Sequence, residues 1–253
     1  MTGLTKEESI RYNRQLIIPE IGESGQEKLR RAAVLVIGAG GLGSPVLMYL
    51  AAAGVGTIGI VDHDEVQPGN LQRQIIYDTG DITRPKAEAA AERLADLNPL
   101  ITVHTYPVRF SEENAAELLQ GYDMAVDCTD NFASRYLISD ATRAAGIPMV
   151  YGAVSQFMGQ VSVFNYRGGP SYRDLYPEET RDAADATPTE QGVIGALPGI
   201  IGSYQACEVI KIITGAGDIL SGRLLQADAL NVRTEKDRKS TRLNSSHVSQ
   251  YRM

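Results

Sequence analysis

The sequence predicts an α/β protein with a doubly wound, mostly parallel sheet that ends in antiparallel strands. As far as residue 154, short apolar runs alternate with helical segments, which is typical of parallel strands joined by right-handed crossovers. The first run, Ala33–Ile37 (AVLVI), contains no polar residue, as expected of a strand buried on both faces. Further along, Gln160–Tyr166 alternates polar and apolar residues, which indicates an antiparallel continuation of the sheet.

Helices are predicted where apolar residues recur at helical spacing and a breaker marks one end. Pro19–Gly22 separates two short N-terminal helices. Pro85 stands in the first turn of a later helix, where proline is tolerated, and alanines and leucines form one stripe along that helix. The predicted helices are Lys6–Gln15, Ser24–Arg31, Gly41–Ala53, Pro85–Leu97, Glu112–Leu119, Phe132–Ala145 and Gly195–Thr214.

Strands are predicted in the apolar runs between these helices, because short runs bounded by turn residues are typical of strands. The predicted strands are Ala33–Ile37, Thr57–Val61, Ile101–Tyr106, Met124–Asp127, Pro148–Val154, Gln160–Tyr166 and, as the last, Gly222–Ala227. Arg167–Gln191 has no period and is rich in charged residues, proline and threonine. We expect a crossover loop here, since so long a polar stretch inside a domain is usually functional or mobile.

The composition limits the possible classes of protein. Residues 1–236 are expected to form one domain, and the basic, serine-rich residues 237–253 a disordered or non-native tail. The net charge of −7 argues against nucleic-acid and membrane partners. Cys128 and Cys207 are too few for a disulfide framework, which favours a reducing cytoplasm. The polar N-terminus predicts no signal peptide, and polar residues interrupt Gly195–Thr214 too often for a membrane span.

A glycine-rich turn predicts a nucleotide site. Gly38, Gly40 and Gly43 fit the pattern G-x-G-x-x-G directly after a predicted strand and before a predicted helix. Such glycines let backbone N–H groups approach a phosphate, and the helix N-terminus favours its negative charge. Asp62 ends the next strand, at a position where a carboxylate accepts hydrogen bonds from ribose hydroxyls. To this point a nicotinamide-dependent dehydrogenase fits equally well.

The charged block DHDEVQPGNLQRQ favours a nucleoside triphosphate with a metal ion over a nicotinamide cofactor. The block places polar residues beside the glycine turn, namely Asp62, Asp64, Asn70, Arg73 and Gln74. Arg73, Lys86 and Asn70 near a helix N-terminus can neutralise a triphosphate, which a pyrophosphate bridged between two nucleosides does not need. Taken singly, each cation is more often a solvated surface residue. Together with the strand-end positions, they predict a triphosphate site.

Asp130 and Asn131 follow the strand Met124–Asp127, at the edge where open α/β sheets bind ligands. A carboxylate that faces phosphates predicts Mg²⁺ between them. The alternative is that Asp130 caps the helix that begins at Phe132, and one carboxylate cannot fill both roles. Asn131 or Thr129 could provide the cap instead.

Taken together, these residues resemble the MoeB/ThiF/HesA family, relatives of the ubiquitin-activating enzymes that adenylate ubiquitin-like sulfur-carrier proteins. The similarity covers roughly Tyr12–Val232 and depends on the motifs RYNRQ, GAGGLGSP, DHDEVQPGNLQRQ, RPK, DCTDN and GQVSVF. It implies a Rossmann-like adenylation domain, a homodimer, and ATP bound with Mg²⁺ at Asp130. It also implies that Arg14 reaches in from the partner subunit as an arginine finger. By the same resemblance, the nucleotide site is lined by Gly41, Asp62, Asn70, Gln72, Arg73, Lys86, Asp130 and Asn131.

The reaction that the resemblance implies joins ATP to the C-terminal glycine of a carrier that ends in Gly-Gly, giving an acyl-adenylate and pyrophosphate. Arg73, Lys86 and Arg14 would stabilise charge on the phosphate oxygens, with Mg²⁺ held by Asp130. We expect the thiamine-pathway carrier (ThiS-like), and the small subunit of molybdopterin synthase (MoaD-like) is the alternative. Two remoter classes stay open: an NAD-dependent oxidoreductase and a carrier-binding protein without catalysis.

The sequence departs from this family at its zinc site. Relatives usually hold zinc with two C-x-x-C pairs, and the first pair is replaced here by Ser171-Tyr172-Arg173-Asp174. Without thiolates we expect no zinc. We also expect the loop 167–191, which lacks this metal clamp, to be mobile and to lie over the carrier's Gly-Gly tail.

Overall fold

The computed structural model describes residues 3–177 and 192–238, which contain one mixed sheet of eight strands. The strands are β1 (Ala33–Ile37), β2 (Thr57–Val61), β3 (Thr102–Tyr106), β4 (Met124–Asp127), β5 (Met149–Ser155), β6 (Met158–Phe164), β7 (Arg223–Asp228) and β8 (Arg233–Arg238). The helices are α1 (Lys6–Arg11), α2 (Asn13–Leu16), α3 (Gly22–Arg31), α4 (Gly43–Ala53), α5 (Lys86–Leu97), α6 (Ala115–Leu119), α7 (Phe132–Ala145), α8 (Tyr172–Leu175) and α9 (Ala196–Thr214).

The sheet has the order β3-β2-β1-β4-β5-β6-β7-β8. The strands β3, β2, β1, β4 and β5 are parallel to one another. The strands β6, β7 and β8 continue the sheet beyond β5, and each is antiparallel to the strand before it. The predicted fold class is therefore confirmed. From β1 the chain moves outward through β2 to β3 and then returns to β4 on the other side. Ligands of open α/β sheets bind at such a switch point, outside the carboxyl ends of the strands.

The two faces of the sheet bury separate hydrophobic clusters, because successive side chains of a strand point to opposite sides. On β1, Val34 and Val36 pack in the cluster that contains residues of α4, α5 and α9. Leu35 and Ile37 pack in the other cluster, which contains residues of α6, α7 and α8. Both faces of β1 are thus covered, and this explains why its sequence is apolar throughout.

The long helix α9 combines an apolar surface with buried polar side chains. It packs against α3, α4, β5 and β6. The amide of Gln205 donates to the backbone carbonyl of Asp127 at 2.7 Å, and the carboxylate of Glu208 accepts from the backbone N–H of Leu220 at 2.9 Å. These partners satisfy the amide N–H group of Gln205 and a carboxylate oxygen of Glu208, which a protein interior would otherwise penalise. In the described ranges 3–177 and 192–238, no helix is long and apolar enough to cross a membrane.

The structure differs from the predicted elements at both ends of the chain. The first helix is divided at Tyr12, whose ring is buried and whose hydroxyl accepts from Asn98 at 2.9 Å, so that the backbone turns there. Gly222–Ala227 is not the last strand, because β8 pairs with β7 after it and includes residues 237–238 of the expected tail. The described side chains of β8 are exposed, so an edge strand of this kind carries no apolar alternation for the sequence to reveal.

The expected crossover loop is described only in part. Its first residues form a 3₁₀ turn at Tyr166–Gly168 and the short helix α8, where no element was predicted. Four residues are too few to show a helical period, so α8 is not detectable from the sequence pattern. Residues 178–191 and 239–253 lie outside the described residues, and the expectations about the loop's mobility, its contact with a carrier and the disordered tail fall there.

Candidate active site

A cleft of about 450 Å³ opens at the carboxyl edge of the parallel strands. Apolar residues from strand ends, such as Ile37 and Val61, lie in its wall beside polar side chains. Most residues predicted for the nucleotide site line this cleft: Gly38, Gly40, Gly41, Asp62, Gln72, Arg73, Lys86, Asp130 and Asn131. The fold therefore brings together residues that are up to 93 positions apart, from Gly38 to Asn131.

The glycine turn between β1 and α4 leaves no room for side chains. A Cβ atom on Gly43 would lie 2.1 Å from the carbonyl oxygen of Gly38, and one on Gly38 would lie 2.8 Å from that of Cys128. Gly38 also has a φ of +94°, which favours glycine. The turn is thus a close backbone cradle at the N-terminus of α4, where N–H groups and the helix dipole attract a phosphate.

Asp62 fastens this turn to the end of β2. Its side chain is buried, and one carboxylate oxygen accepts from the backbone N–H of Ala39 at 2.7 Å. The other oxygen accepts from the backbone N–H of Asp64 at 2.9 Å. Each carboxylate oxygen has two acceptor positions, so Asp62 retains capacity for ribose hydroxyls while it holds the turn.

Lys86 begins α5, and its buried ammonium group is paired with Asp64. The distance from Lys86 Nζ to Asp64 Oδ2 is 2.9 Å. The hydroxyl of Tyr77 lies 2.8 Å from the carbonyl oxygen of Ala39 and 3.2 Å from that of Lys86. Tyr77 therefore ties the start of α5 to the glycine turn, so that the cation and the cradle keep a fixed relation.

Asp62, His63 and Asp64 form a small group at the end of β2, with one ligand atom of each within 4.8 Å of the others. The group is already occupied by protein partners, since Asp62 accepts two backbone N–H groups and Asp64 is paired with Lys86. Burial opposes ionisation of Asp64, but Lys86, with smaller contributions from His63 and Arg109, holds the pKa of this carboxyl below its ordinary value. A cation is therefore not needed to balance these carboxylates.

The loop after β4 assigns separate roles to Asp130 and Asn131. Asn131 caps α7, because its Oδ1 accepts from the backbone N–H of Ser134 at 2.9 Å. Asp130 is exposed, lines the cleft and is not used as the cap. An accessible carboxylate is the type of ligand that Mg²⁺ prefers, so Asp130 fits the predicted metal role.

A buried charged layer lies below this loop. Asp127 Oδ1 accepts from the backbone N–H of Thr129 at 3.0 Å and from its hydroxyl at 2.6 Å. The guanidinium of Arg135 lies 5.2 Å from the ring centre of Phe132 and 5.7 Å from that of Tyr151. Burial raises the pKa of Asp127 to about 6, although the charge of Arg135 and the hydrogen bonds from Thr129 oppose this rise. This layer fixes the turn that leads to the exposed carboxylate.

Three of the predicted residues are not in the cleft wall. Arg14 is exposed on α2, and Gly43 is buried in the first turn of α4. The Oδ1 of Asn70 accepts from the backbone N–H of Gln67 at 3.1 Å, which closes the 3₁₀ turn Pro68–Asn70. Arg73, which does line the cleft, also donates to the carbonyl oxygen of Gly69 at 3.1 Å. Arg14 therefore does not line the cleft of its own chain.

The structure adds residues to the cleft that sequence analysis did not select. Val108, Arg109 and Phe110 follow β3, and Ser134 and Arg135 lie on α7. A signal for the first three was present, because they follow a predicted strand, and the ends of parallel strands share one edge. The two residues on α7 carry no comparable pattern. Their position depends on how α7 packs beside the loop after β4.

Ser171–Asp174, the segment where the resemblance implied a pair of zinc ligands, is closed by its own hydrogen bonds. The hydroxyl and the backbone N–H of Ser171 each donate to Asp174 Oδ2 at 2.7 Å. These bonds lower the pKa of Asp174. The two side chains therefore hold the start of α8 as a capping box, which is the arrangement expected at a helix N-terminus.

Comparison with known proteins identifies the family. The model of the ThiF family matches residues 12–248. The sulfur carrier protein adenylyltransferase of Thermus thermophilus is 50% identical over 237 residues, which cover 92% of this chain and 88% of that protein. The probable molybdopterin-synthase adenylyltransferase of Porphyra purpurea is 48% identical, over 93% of this chain and 62% of the relative. The adenylyltransferase and sulfurtransferase MOCS3 of Mus musculus is 44% identical, over 90% of this chain and 50% of the relative.

Solved structures share the fold at much lower identity. The crystal structure of PaaA has a TM-score of 0.81 and 21% identity, over 93% of this chain and 84% of that chain. The structure of E. coli MccB with ATP has a TM-score of 0.80 and 18% identity, over 90% of this chain and 71% of that chain. The chain belongs to the ThiF family. The predictions of family and of enzyme class, an adenylyltransferase, are confirmed.

Proposed function

We propose that this protein uses ATP to adenylate the C-terminal glycine of a ubiquitin-like sulfur-carrier protein that ends in Gly-Gly. The observation that carries the proposal is the cleft, where a glycine cradle, the cations Arg73 and Lys86, and the exposed carboxylate of Asp130 meet. Backbone N–H groups and cations suit a triphosphate, whereas a free carboxylate beside phosphates suits a metal ion. The names of the relatives support ATP use and a sulfur-carrier substrate.

The carrier's carboxylate attacks the α-phosphorus, so the site must bring two negatively charged groups together and stabilise the charge that builds on phosphate oxygens. Lys86, fixed by its 2.9 Å contact with Asp64, and Arg73 supply positive charge at the cleft wall. Asp62 holds the glycine turn and offers acceptors to the ribose. Mg²⁺ at Asp130 would neutralise further negative charge and polarise a phosphate oxygen.

The proposal includes a homodimer in which Arg14 of the other subunit completes the site. Arg14 is exposed and lies outside the cleft of its own chain, which supports a role at a neighbouring site. An arginine supplied in trans can stabilise charge in phosphoryl-transfer reactions without adding bulk to the open site. The proposal places this dimer in the cytoplasm and includes no zinc, since Ser171 and Asp174 bond to each other.

The thiamine-pathway carrier is the proposed substrate, and the small subunit of molybdopterin synthase is the alternative. The missing thiolates favour the first, whereas the name of the Porphyra relative supports the second. Each purified carrier can be supplied to the protein in turn, and pyrophosphate exchange into ATP measured at equal concentration. The carrier that gives the higher kcat/KM is the substrate, and a faster rate with the molybdopterin-synthase subunit would establish the alternative.

Carrier-dependent ATP–pyrophosphate exchange also tests the reaction. Asp130→Ala and Arg73→Ala should each slow exchange about a hundredfold or more, because each removes a preorganised charge from the site. Asp96→Ala, a change to an exposed aspartate of α5, is the matched control and should leave the rate unchanged. Wild-type exchange by Asp130→Ala would contradict the assignment. Binding of NAD in preference to ATP would favour an oxidoreductase. Binding of the carrier without pyrophosphate exchange would favour a carrier-binding protein without catalysis.

A further inference from the structure

The cleft has an end that the proposed phosphate and ribose contacts do not use. Along the sheet edge it passes from the loop after β4, over the glycine turn after β1 and Asp62 after β2, to the loop after β3. Neighbouring strands are about 4.8 Å apart, so this edge extends over about 14 Å. With phosphates at the glycine turn and ribose at Asp62, the next group of the nucleotide, its base, reaches the loop after β3.

That loop is held in a defined shape. Phe110 is buried in the core cluster below the sheet, whereas Val108 is 41% exposed and lines the cleft. The amide of Asn114 donates to the carbonyl oxygen of Arg109 at 2.9 Å, and its oxygen accepts from the backbone N–H of Ser111 at 2.8 Å. Arg109 therefore extends from a backbone that Asn114 holds at the Arg109 carbonyl and at Ser111, although its own side chain is exposed.

A direct contact orients the Arg109 side chain toward the end of β2. Its Nη2 lies 3.0 Å from His63 Nε2, and an N–H of the guanidinium donates to this ring nitrogen when the nitrogen carries no proton. His63 Nε2 is itself 3.4 Å from Asp64 Oδ1, whereas Lys86 contacts the other carboxylate oxygen, Oδ2. The guanidinium is thus placed next to the residue that follows Asp62, at the mouth of the base end of the cleft.

We infer that Arg109, positioned by His63, contacts the base of the bound nucleotide through the plane of its guanidinium. This inference rests on the proposed function, because it takes the orientation of ATP from it. Arginine stacks on aromatic faces, and a base offers such a face, while Val108 and Phe110 supply apolar contact at the same end of the cleft. Arg109 is then a binding residue for the nucleoside, remote from the reacting phosphorus.

Calorimetric titration with ATP and with magnesium tripolyphosphate, which has no base, tests the inference. Arg109→Ala should weaken ATP binding about tenfold and leave tripolyphosphate binding unchanged. Arg109→Lys keeps the charge but not the plane and should also weaken ATP binding. His63→Ala should have a smaller effect, and none when Arg109 is already alanine. Arg93→Ala, which changes an exposed arginine of α5, is the control and should match the wild type.

In the exchange assay, Arg109→Ala should raise KM for ATP and leave kcat nearly unchanged, because the lost contact is made equally in the ground state and the transition state. An equal loss of ATP and tripolyphosphate affinity would overturn the inference in favour of a general charge effect. Wild-type ATP affinity in Arg109→Ala, or full affinity in Arg109→Lys, would also overturn it. If the wild-type protein bound no ATP, the proposed function would fail first.

Discussion

Asp62 and Asp64 make structural contacts in the cleft where ligand contacts are predicted. Sequence reasoning placed both beside a nucleotide, but it gave no account of the backbone and side-chain groups that they hold. Asp62 accepts from the glycine turn at 2.7 Å, and Asp64 fixes Lys86 at 2.9 Å. A change at either position therefore alters the geometry of the site as well as its charge, and an activity loss alone would not distinguish the two effects.

Asp127 gives a pH-dependent prediction. Its pKa in the folded protein is raised from 3.8 to about 6 by burial, so the folded state binds this proton more tightly than the unfolded chain. As pH rises from about 4 to about 6, the free energy of unfolding of the wild type should fall relative to that of Asp127→Asn. This difference in the free energy of unfolding should change by no more than about 1.4 kcal/mol per pH unit, because one proton is involved.

Urea denaturation of both proteins across this pH range measures the difference. Asp96→Asn, which alters an exposed carboxylate of α5, should show no such relative change. A difference between wild type and Asp127→Asn that is the same at every pH would contradict the raised pKa.

At the scale of elements, the unit β1–turn–α4 joins the fold to the site. Both faces of the strand are covered. The turn brings the start of α4 so close that a Cβ on residue 43 would lie 2.1 Å from the Gly38 carbonyl oxygen. Because the packing is this close, an added methyl group would displace the backbone around it. The glycine pattern therefore reflects the lack of space between β1 and α4 as well as the predicted phosphate contact, although Gly43 does not line the cleft.

Gly43→Ala should lower stability by about 1–3 kcal/mol and weaken ATP binding, because the cradle must open to accept the methyl group. Gly199→Ala is the matched control, since a Cβ there meets nothing within 4 Å. That change should keep ATP affinity and slightly raise stability, as expected for glycine to alanine inside a helix. Thermal unfolding and calorimetry measure both effects. Normal ATP affinity in Gly43→Ala would show that the turn is looser than the structure indicates.

At the scale of the whole molecule, one chain does not provide all of the predicted catalytic residues in one cleft. Arg73, Lys86 and Asp130 lie together, but Arg14 is exposed elsewhere on the surface. If a second subunit supplies Arg14, Arg14→Ala and Asp130→Ala should each be inactive alone. Mixed dimers should regain activity, because a subunit with intact Asp130 then receives Arg14 from the other.

Co-expression of the two inactive chains, each with a different affinity tag, allows the mixed dimer to be purified and assayed by pyrophosphate exchange. In the purified mixed dimer, one of the two sites should be intact, because it combines Asp130 of one chain with Arg14 of the other. Co-expression of Arg14→Ala with Lys86→Ala should give the same recovery. Pairs of Asp130→Ala with Lys86→Ala should not, since both changes affect the same cleft. No recovery in any mixture would show that Arg14 acts within its own chain or not at all.

The sequence by itself determined the doubly wound sheet, the glycine turn and most of the cleft, because apolar periodicity and strand-end polar residues depend on local spacing. Only the tertiary structure decided that Asn131 rather than Asp130 caps α7, that Asp64 pairs with Lys86, and that Arg109 meets His63. Two of these contacts join residues whose spacing follows no helical or strand period. The third distinguishes two neighbouring residues, either of which could cap the helix. The short helix α8 and the edge strand β8 escaped prediction for a related reason, since α8 is too short to show a period and the described side chains of β8 are exposed.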